Sequence, residues 1–436
     1  MKKFFATIRN IFSIEDLRVR IMNTIGFLII FRLGSYVVLP GVDANLLAGN
    51  QGGLFDLLNT FLGGSFSRAS IFALGIMPYI SASIVVQLLT VAVPHFAKMQ
   101  KEGDSGRKKL NQFTRVLTIA ITAAQSYGYL RTTINEEALT NPGMFWMISS
   151  IIILISGTMF CMWLGERITD KGIGNGISML IMIGIVSRFP AAIYQEMDAK
   201  GMNGALLFII ELLALFFVVV GVIALTQATR RIPVQYAKQV VGNKLYGGKR
   251  DFIPLKLNSA GVMPIIFAQA LMFIPPLLAG IWRDSDVGAY VGSTFADFTS
   301  WQYNLLFAIL ILLFTFFYTA ITVPSNDIAD NLKRNGGFVP GIKPGKQTAE
   351  FIDGILSKIT LPGAILLAVV AILPAFAVRA GVTQNFAHFY GGTSLLILVG
   401  VVLDTLQQIE SYLLMRHYEG MMKSGRVKGR SQFAAA

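Results

Sequence analysis

Long uncharged apolar runs, separated by short polar connections, make up most of this sequence. The run from Ile71 to Ala92 contains no charged residue and is long enough to cross the hydrocarbon core of a bilayer. The run before it, Leu54 to Leu62, is too short to cross and ends at Gly63-Gly64. Such a short segment is tolerated at membrane depth only inside protein or beside a water-filled cavity. The pattern therefore predicts a spanning helix over 71–92 with a re-entrant segment in front of it.

One face of this predicted helix carries two branched aliphatic residues. Ile80 and Ile84 are four residues apart, so they share a helix face, and Pro78 and several small residues surround them. We predict that the helix lines a pore and that the re-entrant segment closes it. From the spacing alone, the two isoleucines could equally be ordinary core or lipid-facing residues.

Applied to the whole chain, the length of uncharged apolar runs predicts an all-α polytopic membrane protein with ten spans. They lie at residues 21–39, 71–92, 114–133, 144–164, 174–192, 204–227, 258–282, 303–323, 359–378 and 393–414. Two halves of five spans that fold alike would be related by inversion across the membrane, because five is odd; this arrangement is known from transporters. We therefore divide the chain into halves 1–203 and 204–436, with a loop and hinge over 193–203.

Lysine and arginine are distributed unevenly between the two sides that these spans define. Both terminal segments and the loops 93–113, 165–173, 228–257 and 324–358 together hold 30 of the 37 basic residues, when Arg115 is counted with the first of these loops. Cytoplasmic loops carry such an excess of positive charge. Because ten is even, the two termini lie on the same side, and we predict that both are cytoplasmic.

Composition supports the membrane class. Hydrophobic residues make up 54% of the chain and charged residues 14%, whereas a soluble domain carries about 25% charge. The net charge of +13 alone would also fit a nucleic-acid-binding protein, but its placement follows the predicted topology. One cysteine, Cys161, excludes a disulfide framework, and no cleavable signal peptide is predicted after the basic N terminus.

Motifs for catalysis are weak. Gly103-Asp104-Ser105-Gly106 resembles the nucleophile region of a trypsin-like protease, but it lies in a basic loop and lacks triad partners. The glycine-rich stretch at 172–177 does not follow a strand, which argues against a nucleotide site; its glycines predict close helix packing instead. With no metal-ligand cluster in the sequence, we predict neither an enzyme nor a cofactor.

Three charged residues lie at predicted membrane depth: Arg32, Glu211 and Asp404. Such residues are costly in lipid and are functional candidates by default. A proton- or ion-coupled transporter would carry a denser set of acids, so the sparse set argues against coupled transport. Structural pairing and a cavity-facing role both stay open for these residues.

Two predicted cytoplasmic loops are longer than a connection between spans requires. Loop 228–257 carries basic residues throughout, and loop 324–358 combines several of them with Gly/Pro turn signals that predict a shaped projection. Clustered lysine and arginine suit an acidic partner surface, including ribosomal RNA. These residues include Arg230, Arg231, Lys238, Lys244, Lys249, Arg250, Lys256, Lys333, Arg334, Lys343 and Lys346.

Six strings give the chain a specific resemblance to a known family. They are ALGIMPYISASI at 73–84, KEGDSGRKK at 101–109, ERITDKGIGNGIS at 166–178, PLKLNSAGVMPIIFA at 254–268, NDIADNLKRNGGFVPGIKPG at 326–345 and GGTSLLI at 391–397. Through nearly its whole length the chain resembles the SecY family, the central subunits of bacterial protein-conducting channels. The resemblance implies an hourglass pore between two inverted halves, with an aliphatic ring at its waist and a short plug helix.

Residues of the ring, the plug and the partner-binding loops follow from this resemblance position by position. The implied ring is Ile80, Ile84, Ile181, Ile185, Ile266 and Ile397. The implied plug covers 54–67, with Leu54, Phe55, Leu57, Leu58, Phe61, Leu62 and Phe66 as its apolar residues. The implied partner-binding residues are Lys244, Lys249, Arg250, Lys343 and Lys346. A lateral gate between the second and seventh spans makes Gln87 a candidate gate residue; it could equally be an interhelical hydrogen-bond donor.

The resemblance also implies partners: the small subunits SecE and SecG, and the SecA motor or a translating ribosome with its RNA. It implies that the substrates are unfolded secretory and membrane polypeptides and that the protein lies in the bacterial cytoplasmic membrane. Two positions depart from the family pattern. Lys343 stands where an arginine is typical, so the guanidinium group that could bind a partner through two parallel N–H donors is absent. Asn243-Lys244 stands where a basic pair is common. The alternatives are a secondary transporter of small solutes and a membrane-embedded enzyme.

Overall fold

The computed structural model describes most of the chain. The described residues are 12–43, 47, 62–134, 138–139, 143–201, 204–236, 239–241, 244–246, 250–272, 275, 290–292, 294–295 and 297–423. They are mainly helical and fall into two compact units. The first unit consists of residues up to Arg188 together with those from Gly400 onward, and the second is Phe189–Val399.

Helices of the first unit begin at the N terminus of the chain. They are α1 Glu15–Gly34, α2 Met77–Ala92, α3 Pro94–Lys101, α4 Asp104–Thr133, α5 Met144–Lys171 and the first half of α6 Gly176–Lys200. Within this unit α1 packs on α5, and α2 packs on α3, α4 and α5. One core cluster includes Leu39, Leu130 and Leu154 together with residues 62–74.

The second unit contains both helices and strands. They are α7 Ala205–Gln227, β1 Thr229–Tyr236, β2 Gln239–Val241, β3 Lys244–Tyr246, β4 Arg250–Lys256, α8 Met263–Leu271, α9 Trp301–Thr322, α10 Ser325–Arg334, β5 Gly337–Phe338, α11 Lys346–Arg379 and α12 Gln384–Ala387. The last helix, α13 Gly392–Lys423, begins in this unit and continues in the first. Within the second unit α9 packs on α8 and α11, and α11 packs on α7, α10 and α12.

Six stretches of the described chain are long and apolar enough to cross a membrane. They are Met144–Lys171, Gly176–Lys200, Ala205–Gln227, Trp301–Arg334, Lys346–Arg379 and Gly392–Met415. A seventh is the pair Met77–Ala92 and Pro94–Gln100, which is bent by 104°. A helix lies in each of the ten predicted regions, but those in 21–39, 114–133 and 258–282 do not meet this test, so the count of ten spans stays a prediction.

Three predicted boundaries are wrong. The helix of the second predicted span begins at Met77 instead of Ile71, with Pro78 in its first turn, where the missing N–H is tolerated. Helix α1 ends at Gly34, short of residue 39. Helix α6 continues to Lys200, so residues 193–200 form no loop. Its polar end stays helical because Glu196 and Lys200 face each other one turn apart, with Nζ 3.5 Å from Oε1.

The two long basic loops form one small structure, which the sequence analysis treated as two. Strand β1 lies between β4 and β5 in an antiparallel sheet, so residues 229–256 pair with Gly337–Phe338 of the later loop. Beneath this sheet lies an apolar core that includes Ile232, Leu255 and Ile352. A shared core means that the two loops hold one fixed shape together.

Candidate functional site

The four ring candidates of the first unit lie on α2 and α6. On α2, Ile84 is buried and Ile80 is half-buried. On α6, Ile185 is fully buried and Ile181 is 9% exposed. Each pair is four residues apart and therefore lies on one helix face.

The other two ring candidates lie in the second unit. Ile397 on α13 is buried, whereas Ile266 on α8 is half-buried and its neighbour Ile265 is fully buried. Assembly of all six isoleucines into a ring stays a prediction.

Helix α6 starts from a loop that three other helices hold, and we call residues 172–176, which include the first residue of α6, the hub loop. The backbone N–H of Ile173 donates to Thr24 Oγ1 on α1 at 3.0 Å, and that of Gly174 donates to Gln408 Oε1 on α13 at 2.8 Å. These bonds fix the position from which the helix with two ring candidates begins.

Glycines let the backbone of the hub loop come into direct contact with the backbone of α5. A Cβ added to Gly176 would lie 1.9 Å from the carbonyl oxygen of Gly165 on α5, and one added to Gly172 would lie 2.5 Å from the carbonyl oxygen of Ile168, also on α5. Both distances are far below van der Waals contact. The predicted role of these glycines in close helix packing is confirmed.

A second segment, residues 62–76, enters α2, and we call it the entry segment. The predicted plug residues Leu62 and Phe66 belong to it and are buried. The Phe66 ring lies 4.6 Å from that of Tyr129 on α4, whose hydroxyl donates to the Phe66 carbonyl at 2.6 Å. The remaining predicted plug residues, Leu54, Phe55, Leu57, Leu58 and Phe61, lie outside the described residues.

The start of the entry segment turns on two glycines and is contacted by arginines. Gly63 and Gly64 have φ values of 62° and 85°, a conformation that residues with a Cβ rarely adopt. Arg32 Nη1 and Arg68 Nη2 both donate to the Gly63 carbonyl, at 3.4 Å and 3.0 Å. Both guanidinium groups also stack on the ring of Tyr36, at 5.4 Å and 4.2 Å from its centroid.

The end of the entry segment is held by rings and by backbone. Phe72 stacks between Phe31 of α1 and Phe160 of α5, with ring centroids 5.9 Å and 5.8 Å away. A Cβ on Gly157 of α5 would lie 2.1 Å from the Ile71 carbonyl oxygen. This end is therefore packed tightly against two helices.

The gate candidate Gln87 is half-buried on α2, one residue after the buried Val86. Its backbone carbonyl accepts a hydrogen bond from Thr90 Oγ1 at 2.6 Å. Its role at a gate stays a prediction.

Partner-binding candidates lie around the sheet of the second unit. Lys244 is in β3 and Lys249 lies outside the described residues. Arg250 starts β4 and is exposed; Lys343 and Lys346 are exposed in the turn before α11 and at its first position. Their side chains are therefore available to a partner where the structure describes them.

The sheet also presents an outward face that the sequence analysis missed. Register places Arg231 opposite Pro254, Pro233 opposite Phe252 and Gln235 opposite Arg250. Alternate residues of β1, Ile232 and Val234, are buried, so the residues between them point outward. Phe252, 54% exposed, thus lies on a face that also carries arginines.

Of the three charges at predicted membrane depth, Glu211 is paired. Lys200 Nζ lies 2.8 Å from Glu211 Oε1 and donates to the Gly381 carbonyl at 2.9 Å. Glu196, fully buried beside this lysine, accepts the backbone N–H of Thr383 at 2.9 Å. Glu196 and Lys200 were missed because the sequence analysis placed them in a loop; their i, i+4 spacing was the available signal.

The other two charges differ from Glu211. Arg32 is half-buried at the entry segment, and Asp404 is exposed on α13. Over the described ranges, no group of three or more potential metal ligands lies close enough together to hold a metal ion.

This arrangement is that of a polytopic helical membrane protein with a folded extramembrane sheet. Comparison with known proteins identifies the family: the SecY family model matches residues 70–406. The protein translocase subunit SecY of Halalkalibacterium halodurans is 45% identical over 96% of this chain and the whole of that protein. The chain belongs to the SecY family.

Solved structures share the fold. One described as a protein conducting channel has a TM-score of 0.62 at 15% identity and covers 90% of this chain and 92% of its own. Sec61 in the canine ribosome-channel complex from the endoplasmic reticulum has a TM-score of 0.58 at 15% identity, with the same coverage.

Proposed function

We propose that this chain is the central, pore-forming subunit of a protein translocation channel. Membership of the SecY family, matched over residues 70–406, is the observation that carries the proposal. The channel passes unfolded secretory proteins across the bacterial cytoplasmic membrane and releases membrane-protein segments sideways into the bilayer. It has no catalytic activity of its own, so the energy comes from a partner.

In this proposal ten spans form two inverted halves, 1–203 and 204–436, with both termini in the cytoplasm. The excess of lysine and arginine in the loops on that side supports the orientation. The short plug segment of residues 54–67 forms a helix that seals the resting pore from the opposite side. Burial of Leu62 and Phe66 at the end of that segment is consistent with this role.

The waist of the pore is a ring of Ile80, Ile84, Ile181, Ile185, Ile266 and Ile397. A narrow aliphatic collar blocks ions by dewetting, and it offers no charge or fixed hydrogen bond to the side chains that pass. Gln87 lies at the lateral gate between the helices that carry Ile84 and Ile266. Branched aliphatic side chains fit around an extended chain and limit leakage.

The partners are SecE and SecG, the SecA motor, and a translating ribosome with its RNA. Exposed Arg250, Lys343 and Lys346, together with Lys244 and Lys249, supply positive charge for docking. The structural relative Sec61 is described in a ribosome-channel complex, which supports the ribosome as a partner. The joint core beneath the two loops would keep the docking surface in one shape.

Site-specific crosslinking tests the channel directly. A photoreactive residue at Ile84, and separately at Ile181, is expected to form adducts with a secretory chain arrested partway through export. Val85, the exposed neighbour of Ile84 on α2, is the matched control and should give few adducts. Equal labelling at Ile84 and Val85, or none at the isoleucines with an engaged substrate, would reject a pore at this position.

A second test addresses the docking loop. Lys343→Glu should slow ATP-driven translocation with SecA, because the turn would then repel an acidic partner surface. Lys343→Arg, which restores the residue that is typical of the family, is the control and should translocate at least as fast as the unaltered chain. Normal rates for Lys343→Glu would exclude this residue from motor coupling.

A further inference from the structure

The dipeptide Asn-Gly occurs three times in this sequence, and the structure describes both residues of two of these pairs. They are Asn175-Gly176 at the start of α6 and Asn335-Gly336 in the turn after α10. In such a pair the backbone nitrogen of the glycine can attack the side-chain amide of the asparagine, because glycine has no Cβ to obstruct the approach. The two settings show what the fold does to this chemistry.

At the start of α6 both reacting groups are engaged. Asn175 Oδ1 accepts the backbone N–H groups of Ile177 and Ser178, at 3.1 Å and 3.3 Å, so the side chain is committed to the end of the helix. The backbone N–H of Gly176 donates to Thr169 Oγ1 at 2.9 Å, and this glycine is packed against the backbone of α5. Reaction at Asn175 would break these hydrogen bonds inside a packed loop, so the fold protects this pair.

In the turn after α10 the reacting groups are open to solvent. Asn335 and Gly336 are both exposed, and the Asn335 side chain forms no hydrogen bond with any other described residue. A Cβ added to Gly336, where φ is 67°, would meet no atom within 4 Å. The backbone N–H of Gly336 donates to the Lys333 carbonyl at 3.1 Å. This bond belongs to the end of a helix, and helix ends fray, so brief openings free the backbone nitrogen.

We propose that Asn335 is a site of self-modification, at which the chain converts this asparagine to aspartate and isoaspartate. The Gly336 nitrogen attacks Asn335 Cγ, and the new C–N bond closes a five-membered succinimide ring. The side-chain nitrogen leaves as ammonia and takes the proton of the Gly336 amide with it. Water then opens the ring at either carbonyl, which gives aspartate in one case and isoaspartate in the other. The reactants are the chain's own groups and solvent water.

The modification changes a surface that carries positive charge. Lys333 and Arg334, both exposed, precede the turn, and either product places a carboxylate next to them. Isoaspartate also adds one atom to the main chain directly before β5, the strand whose Gly337 pairs with Tyr236 and so joins the two basic loops. An effect on partner docking rests on the proposed function, whereas the modification itself does not.

Peptide mapping by mass spectrometry tests the proposal on the full-length protein in detergent. The folded protein is incubated in mildly alkaline buffer, in which the attacking backbone nitrogen loses its proton more readily, and a sample without incubation corrects for conversion during digestion. Conversion at Asn335 should be at least about tenfold faster than at Asn175, because fewer hydrogen bonds oppose it. In the chain unfolded by denaturant the two sites should convert at similar rates, because the protection of Asn175 is then lost.

Asn335→Gln is the matched variant. It keeps a side-chain amide at the same exposed position but requires a six-membered ring, so conversion there should nearly cease. Three outcomes would overturn the proposal: an Asn335 that stays intact in the folded protein while the unfolded chain converts, equal rates at Asn175 and Asn335 in the folded protein, and undiminished conversion in the glutamine variant. Each is measured whether or not the chain conducts protein, so a failure here is distinct from a failure of the proposed function.

Discussion

The hub loop and the entry segment each position the start of a helix, but different contacts hold them in place. Each leads into a helix with two ring candidates, α6 with Ile181 and Ile185, and α2 with Ile80 and Ile84. The hub loop is held by backbone that touches backbone at glycines, as at Gly176 and Gly165. The entry segment is held that way most tightly near Ile71; at Gly63 a Cβ would lie 3.0 Å from the Cα of Gly184 on α6, and the ends of two long arginine side chains also contact this glycine.

This difference separates a fixed start from one that can be released. Moving the hub loop requires that tightly packed backbone separate, whereas the start of the entry segment meets backbone less closely, at Gly184, and is held in addition by two arginine side chains that can change rotamer. A rigid start suits a helix that forms a permanent wall. A releasable start suits a segment that follows the proposed plug and must let it move.

The largest effect is expected from Gly176→Ala in the hub loop. The new Cβ would lie 1.9 Å from the Gly165 carbonyl oxygen, and neither backbone can give way without moving a helix. We expect a loss of about 3 kcal/mol in the free energy of unfolding, or no folded protein. A thiol-reactive fluorophore that labels the fully buried Cys161 only when the protein unfolds measures this loss as a lower unfolding midpoint.

Gly128→Ala on α4 is the control for this prediction. A Cβ there would meet no atom within 4 Å, and alanine favours helix over glycine, so stability should be unchanged or slightly higher. If Gly176→Ala behaves like Gly128→Ala, the hub loop is not rigid and the comparison fails.

Tyr129→Phe should have the next largest effect, in the entry segment. It keeps the ring beside Phe66 but removes the hydroxyl that donates to the buried Phe66 carbonyl at 2.6 Å. The Phe66 carbonyl still accepts the backbone N–H of Ala69 at 3.3 Å, so loss of the shorter buried hydrogen bond should cost about 1.5 kcal/mol. Tyr127→Phe, at an exposed position on the same helix, should cost almost nothing, and similar midpoints for the two variants would contradict this account.

Asn175→Ala tests the start of α6 itself. Asn175 Oδ1 accepts the backbone N–H groups of Ile177 and Ser178, at 3.1 Å and 3.3 Å, and thereby caps the helix. Loss of this cap should cost about 1 kcal/mol. Asn175→Asp keeps an acceptor at the positive end of the helix dipole and should be as stable as the unaltered chain. A cost shared by both variants would point to the amide NH₂ group instead of the cap.

Local patterns explain why the sequence predicted much of this fold. Apolar runs located a helix in each predicted region, and the glycines of the 172–177 stretch indicated close packing that the contacts of Gly172 and Gly176 confirm. The extension of α6 to Lys200 was missed because an ion pair, and not an apolar run, continues that helix.

The sequence patterns could not predict contacts between residues that are far apart along the chain. Nothing near Tyr236 indicates that it pairs with Gly337, which lies about a hundred residues later in the chain. Likewise, nothing in the sequence around Arg68 distinguishes it from an ordinary loop arginine. Only the fold brings it and Arg32 to the same carbonyl oxygen. Propensity and periodicity describe neighbours along the chain, and such pairs are decided by tertiary packing.

The smallest effect is expected from Ala69→Gly in the entry segment, with Ala73→Gly as its matched comparison. Ala69 and Ala73 are both fully buried, but Ala69 has φ of 46°, where a Cβ is unfavourable by about 1 kcal/mol. Ala73→Gly should lower stability by about 1.5 kcal/mol, through the lost methyl group and the greater freedom of the unfolded chain. In Ala69→Gly the relief of strain offsets most of this loss, so a change below about 0.5 kcal/mol is expected. Equal losses would mean that the turn at Ala69 is unstrained.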